Sequence, residues 1–117
     1  MYDGDDDPDT LHAGAVVDGR LAAIASIAPD PSDDAPGPDA WRLRGMATVE
    51  ELRGTGLGRA VLECCLEHVR ERGARIVWCN ARTGAIGFYE RSGFEIVSEM
   101  FDVPVIGPHV RMVRRVA

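Results

Sequence analysis

Three observations predict an α/β domain built on a mixed β-sheet. An Asp-Gly pair separates two short apolar segments, an amphipathic helical stripe runs over residues 57–72, and strand-like runs flank that stripe with short connections. A strand, a helix and a strand joined so closely assemble as a right-handed crossover, which requires a central parallel pair flanked by helices. At 117 residues the chain has room for one domain. Residues 1–10 read as an acidic, flexible lead-in and residues 11–117 as that domain. The Asp run at 3–9 lacks the glycine and terminal Glu of an EF-hand loop, so no metal is expected there.

The elements follow in order. Residues 12–17 and 20–27 form two strands around Asp18-Gly19, whose residues tolerate positive φ. Residues 29–40, with four prolines, read as an exposed loop. Residues 41–49 return to strand, with Trp41, Leu43, Gly45 and Ala47 on one side of the alternation. Leu57, Val61, Cys64, Cys65, Leu66 and Val69 form the stripe of the long helix, and Gly73 is placed to end it. Residues 75–81 form a buried strand, 85–91 a short helix ended by Gly93, and 94–101 and 110–116 two last strands. The order is β-β-β-α-β-α-β-β.

Charge narrows the function. Residues 1–40 hold ten Asp against Arg20, whereas residues 41–117 hold nine acids and twelve arginines, and no Lys occurs anywhere. The acidic front disfavours nucleic acid, and the basic second part permits a small anionic ligand. The acidic front also suggests steering of cationic ligands. Three cysteines without a CxxC pair argue against a disulfide framework or thiolate metal site and suit a reducing cytoplasm. No apolar run reaches the ~18 residues of a membrane span.

The chemistry concentrates in Arg53-Gly54-Thr55-Gly56-Leu57-Gly58, between a strand and the long helix. Alternating glycines let backbone approach a ligand, and a helix N-terminus presents amides and a positive dipole end to an anion. A P-loop is excluded because it needs Lys, and the dinucleotide fingerprint fails because position 59 is Arg. Standing alone, the loop also reads as a turn that only closes strand to helix.

The loop, the preceding strand and the block Phe88-Tyr89-Glu90-Arg91-Ser92-Gly93-Phe94 together resemble the GCN5-related N-acetyltransferases, or GNAT family. Arg53-x-x-Gly56-x-Gly58 matches that family's acetyl-coenzyme A signature, and the second block matches its Tyr-x-x-x-Gly-Phe. Residues 107–112 have the look of short bacterial members. The resemblance implies acetyl transfer from acetyl-CoA to a primary amine of a small molecule or peptide, with no metal. It implies that Arg53, Gly54, Thr55, Gly56, Leu57, Gly58 and Arg59 hold the pyrophosphate, that Ala47, Thr48 and Val49 pair with the pantetheine arm, and that Tyr89 protonates the departing thiolate.

Tyr89 also reads as a core aromatic beside Phe88. The family's usual Glu base falls where this chain has Asn80, leaving His109, Glu50 and Glu51 as candidates; His109 reads equally as a loop histidine beside a proline. The family's opening strand and two helices are largely absent before Leu11. That implies an open acceptor side or a second subunit in a homodimer, and it keeps a non-catalytic acyl-CoA-binding or regulatory module as the alternative.

Overall fold

The structure is a computed structural model and describes residues 10–33, 35–49 and 55–116. Strand β1 (Leu11–Val17) turns into β2 (Arg20–Pro29) through Asp18 at φ 51° and Gly19 at φ 77°, the double positive φ that an Asp-Gly turn supplies. Strand β3 (Ala40–Thr48) leads to helix α1 (Leu57–Glu71), which returns to β4 (Ile76–Arg82). A 3₁₀ turn (Thr83–Ala85) precedes helix α2 (Ile86–Arg91). Strands β5 (Glu95–Ile96), β6 (Phe101–Val103) and β7 (Gly107–Arg115) complete the order.

All seven strands share one sheet, ordered β1-β2-β3-β4-β7-β5, with β6 also paired to β7. The β3–β4 pair is parallel and the other pairs are antiparallel, as the crossover requires. Both helices end alike: the amides of Gly73 and Gly93, each at positive φ, donate to the carbonyls of Arg70 and Glu90, and the next amides donate to Val69 and Tyr89. This Schellman closure is what glycine after a helix predicts.

The main core lies between α1 and one sheet face, where Val61, Leu62, Cys65, Leu66 and Val69 meet Ala23, Ile27, Trp41, Leu43, Val77 and Cys79. Cys64, placed on the stripe from sequence, is exposed, whereas Leu62 is fully buried. At 100° per residue the stripe centres on 62, 65 and 69, which turns Cys64 toward a groove beside β1. Burial pushes the thiols of Cys65 and Cys79 up to about 12. A thiol reagent at pH 8 should therefore titrate one cysteine in the native protein and three after denaturation. Rapid reaction of a second native thiol would contradict this packing. Because both folded-state values lie above the ordinary 9.0, the cost appears above pH 9 and grows toward pH 12, so stability falls across that window.

Two further expectations change. The residue 29–40 loop is not simply exposed: Ala35 is fully buried and, with Ala40, covers Ile76 and Trp78 on the sheet face away from the helices. The strand expected over 94–101 is two short ones, because two extra residues sit between the Ile96–Met112 and Phe101–His109 pairs. Ser98 Oγ accepts the Arg111 amide at 2.8 Å and replaces the missing ladder bond. The last strand in turn begins at Gly107, earlier than the expected Val110, because β6 pairs along its start. The β6–β7 turn holds Val105 at φ 72° with its side chain in solvent. A β-branched residue pays ~1–2 kcal/mol for that conformation, so Val105→Gly should raise the urea midpoint by roughly 0.5–1 kcal/mol of stability. A lower midpoint would refute strain at this turn.

Candidate active site

Strands β3 and β4 share register only at Ala40–Ile76, Trp41–Val77 and Arg42–Trp78, although β3 continues to Thr48 and β4 to Arg82. The cause is local to β3. Its register against β2 shifts between Ile24 and Ser26, with Gly45 at φ 67°, a bulge that bends the strand. β4 stays straight because β7 pairs with it throughout. The parallel pair thus opens into a slot toward the β3 C-terminus. The bulge also breaks the expected alternation: Met46 turns to the core side and Ala47 is exposed.

Val49 N–H donates to Ala22 O at 2.8 Å, so the backbone of Val49 faces β2. In an antiparallel ladder the direction alternates, which turns Ala47 to β2 as well and Thr48 to the slot. Of the three residues expected along a pantetheine arm, Thr48 is the one whose main chain faces the slot.

Helix α1 begins at the slot. Its N-cap Gly56 sits at φ 87° with no side-chain cap, and its first turn carries no acidic residue, so the leading amides and the positive end of the dipole are suited to an anion. Thr55, Gly56 and Arg59 are exposed there, and Leu57 is half-buried. A Cβ on Gly58 would lie 2.9 Å from Thr48 Oγ1, 3.4 Å from Met46 Cε and 3.8 Å from Phe88 Cε1. The glycine motif, the β3 end and the second block therefore meet at one point. Arg53, Gly54, Glu50 and Glu51 lie outside the described residues.

Tyr89 is 6% exposed, in edge contact with Phe88 at 5.2 Å and Phe94 at 5.4 Å. Burial, reinforced by Cys79, raises its phenol above the ordinary 10, so it stays protonated at neutral pH. His109 is equally buried, stacks on Phe101, and its Nδ1 lies 2.8 Å from Gly107 O. A carbonyl only accepts, so Nδ1 carries the proton and neutral His109 keeps its lone pair on Nε2.

The two residues occupy opposite faces. Tyr89 packs with Cys79, Ala81, Val110 and Met112 on the helix side, whereas His109 alternates with these, sharing its face with Arg111 and with Asn80 and Trp78 of β4. Asn80 is no base: its Oδ1 accepts from Arg111 Nε at 3.3 Å. Sequence reasoning passed over Arg42 and Arg111, which rest on the Trp78 ring at 4.9 and 4.6 Å. The signal was an indole on a strand bracketed by arginines two registers apart.

A slot between parting parallel strands, with a glycine-opened helix N-terminus at its mouth, suits an extended ligand with an anionic end. The profile of the acetyltransferase (GNAT) family matches residues 1–94, and the chain belongs to this family of N-acetyltransferase enzymes. It is 37% identical over 111 residues to the uncharacterized N-acetyltransferase YitI of Bacillus subtilis strain 168, covering 95% of this chain and 74% of YitI. Escherichia coli ElaA superposes with TM-score 0.74 at 27% identity, over 94% of this chain and 74% of that one. An aminoglycoside 6'-N-acetyltransferase solved with coenzyme A superposes with TM-score 0.77 over 95% of this chain and 75% of that one; at 16% identity this likeness speaks to the fold.

Proposed function

We propose that the chain binds acetyl-CoA in the β3–β4 slot and transfers its acetyl group directly to a primary amine, of a small molecule or peptide, in a ternary complex. The observation that carries the reading is the convergence of Thr48, Gly58 and Phe88 where the slot meets the uncapped start of α1. These residues fit an extended, anionic ligand: amides from Thr55 to Arg59, with Arg53 and Gly54 preceding them, hold the pyrophosphate, and the Thr48 main chain lies along the arm. Acetyl-CoA supplies the activated thioester.

Thr48 N–H faces the thioester carbonyl and stabilises the charge that develops on its oxygen, a role worth ~3–4 kcal/mol per donor. His109 Nε2 accepts the proton of the attacking amine from one face of the sheet. Tyr89 gives a proton to the departing sulfur from the other face. Base and acid thus act from opposite faces of the sheet.

Acetyl-CoA at ~100 times its dissociation constant should add ~2.7 kcal/mol to the stability of the protein, read as a thermal shift. Thiol release with an amine panel then tests transfer. No shift would sink the site; a shift without amine-dependent thiol release would leave a non-catalytic acyl-CoA-binding module.

The reading extends to assembly and place. Val16, Leu21 and Ile24 are exposed, with Leu21 and Ile24 beside Gly14 on the sheet face away from α1, an apolar patch that a second copy would cover. Sedimentation as a monomer at high concentration would end the homodimer proposal. Among the described residues no helix is long and apolar enough to cross a membrane, and a cytoplasmic location matches the supply of acetyl-CoA.

A further inference from the structure

We infer that Arg114 is a positioning residue for the general acid: by donating to Ser92 O it sets the pose of α2, the helix that carries Tyr89. This rests on the acid role proposed for Tyr89 and adds a residue that acts through it.

Helix α2 is six residues long, too short to keep a fixed place by its own helical stability, so its ties to the rest of the fold determine where its side chains stand. Arg114 supplies one such tie from β7. Its Nη1 donates to Ser92 O at 2.8 Å, and Ser92 is the C-cap of the helix. A charged donor at a helix C-terminus makes a stronger bond than a neutral one and is favoured by the helix dipole.

The tie reaches Tyr89 in one step. Ser92 N–H donates to Tyr89 O at 3.0 Å, and Ser92 Oγ donates to Phe88 O at 3.1 Å. Both aromatic residues of α2 are therefore bonded through their main chain to the residue that Arg114 grips. The Phe94 amide closes on the same Tyr89 carbonyl at 2.9 Å, and its ring meets the Tyr89 ring edge-on.

The guanidinium has a shaped seat. A Cβ on Gly93 would lie 3.3 Å from Arg114 Nε, 3.5 Å from its Cδ and 3.6 Å from its Cζ, so the arginine packs against bare glycine backbone. Gly93 thus closes α2 at φ 90° and also leaves the room that Arg114 occupies. Nη1 lies 3.7 Å from Glu63 Oε1 of α1, in a pair open enough to solvent to orient the side chain while contributing little stability. Helix α2 accordingly meets α1 at two places, with Phe88 beside Gly58 and Arg114 between Ser92 and Glu63. The helix that starts at the slot and the helix that carries the acid are held at one spacing, as delivery of a proton to the coenzyme sulfur requires.

The test is a double-mutant cycle on amine-dependent thiol release at saturating acetyl-CoA. Arg114→Gln should lower kcat about tenfold or more with acetyl-CoA affinity unchanged, since misplacing a reacting group by an ångström can cost ~10²-fold. In a Tyr89→Phe background the same substitution should change kcat by less than about twofold, because a residue that acts through the phenol has nothing left to position. Arg114→Lys, which keeps a charged donor, should retain most of kcat, and Glu63→Gln should stay near the unaltered rate because the bond to Ser92 survives it. Arg114→Met keeps the stem that packs on Gly93 and carries the cycle if Arg114→Gln does not fold; the acetyl-CoA thermal shift reports that each variant is folded and loaded. Unchanged kcat in folded, loaded Arg114→Gln or Arg114→Met overturns the inference. So does a loss that multiplies with that of Tyr89→Phe, the mark of a purely structural residue, and so does a Glu63→Gln variant as slow as Arg114→Gln. If Tyr89→Phe alone turns over at the full rate, the acid role itself fails and the inference falls with it.

Discussion

Tyr89→Phe is expected to lower kcat for acetyl transfer by ~10²-fold or more while leaving acetyl-CoA affinity unchanged, the size usual for loss of a positioned general acid. The substitution is clean because the ring is held by edge contacts with Phe88 and Phe94 that phenylalanine keeps. Only the hydroxyl is lost. Burial raises the phenol above 10, so in the unaltered enzyme the acid remains loaded throughout the neutral range and kcat should show no alkaline limb from Tyr89 below pH 10. The same upward shift has a stability consequence. Folded Tyr89 holds its proton to higher pH than unfolded Tyr89, so the contribution is complete below pH 10 and is lost as pH rises beyond it. Without the phenol, the sulfur departs as the unprotonated thiolate and takes up its proton from water afterwards. Equal kcat for Tyr89→Phe and the unaltered enzyme, at full occupancy by acetyl-CoA, would reduce Tyr89 to the core aromatic that its packing also describes.

What the sequence disclosed and what it hid divide along a physical line. Features that depend on a residue's own backbone chemistry were legible: the Asp18-Gly19 turn, the glycines that close both helices, and the glycine-rich entry to α1. Features that depend on a partner's register were not. Gly45 sits within an alternating run and looks like ordinary strand, yet the extra residue there against β2 bends β3 from β4 and makes the slot. The break at residues 97–100 was equally hidden, because it arises from a Ser98 hydroxyl bonding an amide thirteen residues away. Burial of Ala35 had a signal that went unused: Trp78 on a strand face without a helix above it needs a cover, and the proline-rich loop was the segment free to supply one. The placement of Tyr89 and His109 on opposite faces follows from the parity of β4 and β7 pairing, which no local pattern encodes.

Gly58→Val should cost acetyl-CoA at least ~100-fold in affinity, or about 2.7 kcal/mol. The first added carbon would already sit 2.9 Å from Thr48 Oγ1, closer than real contacts allow, and the two further methyls would press on Met46 and Phe88. Thr48 has little freedom to yield, being β-branched and on a strand tied to β2 through the neighbouring Val49 amide. The first turn of α1 must therefore lift away from β3 and α2, which carries its amides off the mouth of the slot. Overpacking of this kind costs ~1–3 kcal/mol of stability, so loss of binding needs a control with similar destabilisation and intact geometry. Gly56→Ala supplies it. Nothing lies within 4 Å of a Cβ there, but φ 87° strains any non-glycine residue by ~1–2 kcal/mol. Calorimetric titration with acetyl-CoA should find Gly56→Ala within about tenfold of the unaltered protein, provided both are folded, and Gly58→Val far weaker. If Gly58→Val binds as tightly as Gly56→Ala, the coenzyme does not lie where β3, α1 and α2 converge, and the slot loses its assignment.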